Sequence, residues 1–66
     1  MMATAVRQRI DDLDAAAYLA RLAGLPRCAA ACRQAAARLT WAAQHDGPEL
    51  QRLLGETRAL LDSLPL

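Results

Sequence analysis

Two interruptions decide what this chain can become. Gly24–Leu25–Pro26 and His45–Asp46–Gly47–Pro48 each stop a helical pattern, and together they divide 66 residues into three segments. The residue before a proline avoids the helical region, and Gly24 suits a left-handed position that ends a helix, with Leu25 packing back on it. We read a break there; the alternative is one long helix kinked at Pro26, at a cost of about 3 kcal/mol. Asp-Gly ahead of proline is strong turn chemistry. Gly47 would end one helix or cap the next, and Pro48 suits a first helical position because it lacks an N–H. A short connection between long helices makes them antiparallel neighbours. The expectation is an all-α single domain, with helices at about 5–23, 26–45 and 48–63. The second and third would form a hairpin, with the first folded against it or extended from it.

Each segment has an apolar face at helical spacing. The third carries Leu50, Leu53, Leu54, Leu60, Leu61 and Leu64, with Thr57 completing the spacing. Glu49 favours its N-terminus through the helix dipole, and Pro65 cannot continue it. In the first segment Thr4 is a candidate N-cap, and Val6, Ile10, Leu13 and Ala17 repeat at helical spacing. Tyr18, Leu22 and Leu25 carry that face onward, shifted by one position. Asp11, Asp12 and Asp14 form the polar side, after Arg7 and Arg9, and Arg7–Asp11 is a weakly stabilising i,i+4 pair. In the second segment Cys28, Cys32, Ala35, Leu39 and Ala42 follow heptad spacing. Trp41 lies off that seam. It either covers the core edge or anchors a partner, as Trp often does at interfaces.

The core must be thin. The chain is 55% hydrophobic, but much of that is alanine, and it has no Phe, one Trp and one Tyr. Alanine promotes helix but offers little area to bury. A chain this short buries only about 60% of its unfolded surface, so its helices favour a partner protein or self-association. Eight Arg and seven acidic residues leave a charge of +1. The two signs are interspersed, and the basic stripe expected of a nucleic-acid binder is missing. No run of about 20 apolar residues could cross a bilayer, and the N-terminus does not read as a targeting segment. These features lead us to expect a cytoplasmic protein that does not engage membranes.

No residue set points to catalysis. Cys28 and Cys32 share one helix face, but redox pairs normally use Cys-x-x-Cys and structural zinc needs four ligands. His45 lies too far along the same helix to complete a site. A disulfide between i and i+4 fits a helix poorly. Small buried apolar residues are therefore the favoured reading of the two cysteines, beside intermolecular oxidation and metal binding. His45 suits the negative end of a helix. Gly24, Gly47 and Gly55 are isolated, so no phosphate loop is formed. We expect no enzyme activity, no cofactor and no metal.

The run Gly47–Pro48–Glu49–Leu50…Leu53–Leu54…Arg58–Ala59–Leu60–Leu61–Asp62–Ser63–Leu64 resembles the second hairpin helix of the small co-chaperones of type III secretion needle subunits, the YscE-type proteins. Cys32–Arg33–Gln34…Arg38–Leu39 and Val6…Ile10…Leu13 are similar to parts of the first. The resemblance implies a cytoplasmic virulence-associated complex. In it the chain and a helical-repeat chaperone would keep the secreted needle subunit soluble before export. Leu50, Leu53, Leu54, Leu60 and Leu61 would be core or contact residues, with Trp41 as an anchor. Two further readings stand beside this one. A homodimer or bundle would use the heptad face of Cys28, Cys32, Ala35 and Leu39. A helical nucleic-acid-binding regulator would need Arg27, Arg33 and Arg38 on one surface.

Overall fold

The computed structural model describes residues 3–66, which form three helices and no strand: α1 (Thr4–Leu22), α2 (Pro26–His45) and α3 (Gly47–Ser63). The molecule measures 34 × 18 × 16 Å. Its long axis is close to the length of one 20-residue helix, about 30 Å at 1.5 Å per residue, so the helices lie side by side. All three pack on one another.

Both breaks are real, and each closes in its own way. At the first, Gly24 takes a φ of +76°. The Leu25 N–H then donates to the Ala20 carbonyl at 2.8 Å and the Gly24 N–H to that of Arg21 at 3.2 Å. This is the Schellman closure, and it pairs carbonyls the helix end would otherwise leave free. Pro26 then opens α2. The chain turns back here, and no long kinked helix forms. At the second break a single residue, Asp46, separates two helices. Its N–H donates to the Ala42 carbonyl at 2.8 Å and so ends α2, and its Oδ1 accepts from the Glu49 N–H at 3.1 Å and so starts α3. Asp46, rather than Gly47, is thus the cap of both helices, and Gly47 precedes Pro48 as the first residue of α3.

Thr4 does not cap α1. Ala3 holds the N-cap position with no side-chain bond, and Thr4 is already helical. The closest packing is between the first two helices. Ala16, Ala17 and Ala20 of α1 and Ala29, Cys32 and Ala36 of α2 are all buried. Small side chains let two helix backbones approach, so the alanine-rich face is an intramolecular seam. Leu13 and Leu39 fill the centre, each wholly buried, and Ala42 and Leu53 close the cluster.

Three further expectations about α1 are corrected. Tyr18 and Leu22 do not continue the core face; they are 63% and 67% exposed, because Ala16 and Ala20 take the inward positions. Arg9 does not join a solvated polar side. Its Nη1 donates to the Leu54 carbonyl at 2.5 Å and to the Thr57 Oγ1 at 2.9 Å, which ties α1 to α3. Thr57 is 2% exposed, and its hydroxyl in turn donates to the Leu53 carbonyl at 2.7 Å. The Arg7–Asp11 ion pair is also absent: Asp12 accepts from Gln8 at 2.9 Å, and neither Arg7 nor Asp11 has an ionic partner among the described residues.

Two glycines should respond oppositely to an added methyl. Gly24→Ala forces an L residue into the left-handed region and should cost about 1 kcal/mol in chemical denaturation. Gly55 is helical, exposed and has open space at its missing Cβ. Gly55→Ala should therefore add about 0.5–1 kcal/mol from helix propensity. The Arg9–Thr57 tie should appear as non-additivity. Arg9→Met and Thr57→Val are each expected to lose about 1 kcal/mol, and the double variant less than their sum, because hydrogen bonds to a charged group exceed neutral ones.

Candidate interaction surfaces

Two surfaces combine apolar side chains with exposure. The first is a groove between α2 and α3 to which no α1 residue contributes. Its floor is Ala31, Ala35, Leu53 and Leu60. Trp41 stands at one end, 58% exposed, with its ring 4.8 Å from that of His45. Arg38 and Glu49 close the rim at 3.6 Å across the two helices, and Arg52 bridges Glu49 and Glu56, the latter at 2.5 Å. The hydrogen bond from Arg52, with the nearby Arg52 and Arg38 charges, holds the Glu49 carboxyl below its ordinary value against the opposing effect of desolvation. The groove therefore has an apolar floor of alanine and leucine side chains, a charged rim and an aromatic end. That combination suits an apolar helix edge.

The leucines singled out in the sequence fall into two groups. Leu53 is buried, at 3% exposure. Leu50, Leu54, Leu60 and Leu61 are half-buried and rest against the core with one side open. α1 covers α3 only partly, so the leucine stripe belongs both to the core and to the surface. Trp41 is removed from the core.

The second surface is the outer face of α1. Ala15, Tyr18, Leu19 and Leu22 are all exposed, Leu19 by 53%. They sit at i, i+3, i+4 and i+7, one side of a helix. This stripe was readable in the sequence. The parallel stripe through Val6, Ile10, Leu13 and Ala17 drew Tyr18 and Leu22 into the core expectation instead.

The remaining polar residues do not assemble. Cys32 is wholly buried and Cys28 half-buried, both as free thiols. Among the described residues no three His, Cys, Asp or Glu side chains are placed to hold a metal ion. Of the three arginines that a nucleic-acid surface would need, Arg33 and Arg38 separate to different sides of α2. Arg33 lies with Arg21 beside the first loop, and Arg38 pairs with Glu49 on the α3 side. No helix among the described residues is long and apolar enough to cross a membrane. No protein-family model matches the chain, and no curated protein or solved structure matches it.

Burial, and to a lesser degree the neighbouring Cys28, push the Cys32 thiol above its ordinary value of 9.0. The folded state thus favours the neutral thiol. The stability this burial contributes is complete below the ordinary value and is lost as pH rises through the raised one. Denaturant midpoints should fall above about pH 9 more steeply for the native chain than for Cys32→Ala. In the folded protein a thiol reagent should modify Cys28 well before Cys32.

Proposed function

We propose that this protein is a helical adaptor that holds an apolar helix of a partner protein in the α2–α3 groove. The groove itself carries the reading: Ala31, Ala35, Leu53 and Leu60 make its floor, and exposed Trp41 stands at its end. An exposed Trp offers a large apolar surface to bury on binding, which is the usual character of an interface anchor. The charged rim sets the register and direction of the bound helix.

The specific form of this proposal is the one the secretion co-chaperone resemblance implies. The chain would work in the cytoplasm beside a helical-repeat chaperone and keep an aggregation-prone needle subunit from polymerising by covering its apolar surface. Of the run that carries the resemblance, Glu49, Leu53 and Leu60 line the groove.

Co-expression with a helical-repeat chaperone and a needle-type subunit from the same genome tests the reading by size-exclusion chromatography. A stoichiometric complex is expected. Ala31→Arg fills the groove floor and Trp41→Ala removes the anchor; each should dissociate the complex while circular dichroism keeps its helical signal. A complex indifferent to both changes, or no complex with the native chain, would overturn the proposal.

A further inference from the structure

The outer face of α1 lies apart from the α2–α3 groove, and it is flanked by charges that take no ionic partner among the described residues. On α2 and α3, Arg38, Arg52 and Arg58 pair with Glu49, Glu56 and Asp62. On α1, Asp14 and Arg21 are exposed and have no ionic partner among the described residues. They are seven residues apart, so they share one flank of the helix, and between them lie Tyr18 and Leu19. Arg21 also lines a surface depression with Arg33, again without a carboxylate. One edge of the apolar stripe is thus acidic at one end and basic at the other.

This arrangement is complementary to itself when reversed. Two copies of α1 laid antiparallel about a two-fold axis near Tyr18 and Leu19 bring Ala15 of each opposite Leu22 of the other. In an antiparallel pair like flanks meet, so the Asp14 carboxylate of each copy then reaches the Arg21 guanidinium of the other, twice by symmetry. We propose that the outer face of α1 is a homodimer interface, with Tyr18, Leu19 and Leu22 at its centre and two Asp14–Arg21 pairs at its edges. One short helix face is small against the interfaces of stable dimers, about 800 Å² per partner. The dimer is therefore weak and reversible. It leaves the groove of each copy free, so it holds whether or not the groove binds a partner helix.

Sedimentation equilibrium of the purified chain, from micromolar to millimolar, is the test. The native chain should pass from monomer to dimer over that range. Leu19→Glu, on an exposed position, should keep the melting profile of the monomer and stay monomeric throughout. Asp14→Arg should raise the dimer dissociation constant about tenfold, because each of two symmetric pairs contributes a few-fold and becomes repulsive. Asp14→Arg combined with Arg21→Asp should restore most of the loss. A native chain that remains monomeric at millimolar concentration overturns the proposal. So does a dimer unaffected by Leu19→Glu, or one that the double charge reversal leaves as weak as the single.

Discussion

The structure depends on how closely α1 can approach α2. Ala16, Ala17 and Ala20 on one side and Ala29, Cys32 and Ala36 on the other are small side chains, and all six are buried. Each contributes little apolar area by itself. What they allow is contact between backbones, where many weak dispersion contacts accumulate. Once that seam is set, Leu13 and Leu39 are enclosed behind it. Arg9 is then placed to reach across to α3 and close the third side. The Gly24 closure makes the seam possible, since it reverses the chain within three residues.

A core built this way leaves much apolar surface uncovered. α3 buries only Leu53 and Thr57 completely, and its other leucines rest against the core with one side in solvent. Tyr18, Leu19, Leu22 and Trp41 contribute nothing to the core. In a chain of this size that is a large share of the bulky side chains. Their separation onto two surfaces, one a groove and one a ridge, is the structural basis for reading the molecule as a binding module with two distinct contacts.

Much of the fold was legible in the sequence because its signals are local. The positive φ at Gly24, the proline at the start of α2 and the Asp-Gly-Pro turn each act within a few residues, and they set the number of helices and their order. The inward turn of Thr57 followed from position on the helix, whereas Trp41 could equally have covered the core edge, and the structure leaves it 58% exposed. What could not be read was a choice between equivalent stripes. On α1, the faces through Leu13 and through Tyr18 are both apolar, and only the partner helix decides which goes inside. It chose the face with Ala16 and Ala20, since α2 offers Ala29 and Ala36 opposite, and small residues gain most from close approach. The inward turn of Arg9 was hidden for a similar reason: its acceptors are a backbone carbonyl and a threonine hydroxyl more than 40 residues away. The heptad spacing of Cys28, Cys32, Ala35 and Leu39 was a true signal of packing, and the structure uses Cys32 and Leu39 inside the monomer.

The most direct test of this account is the equilibrium denaturation of Ala20→Leu beside Ala37→Leu. Ala20 is wholly buried in the α1–α2 seam, and Ala37 is exposed on α2. If close approach of the two backbones holds the fold together, the extra volume at position 20 should cost about 3 kcal/mol or more by forcing the helices apart. The same change at position 37 should leave stability within about 0.5 kcal/mol. An Ala20→Leu variant as stable as the native chain would contradict the account, because the seam would then have space that this packing does not allow.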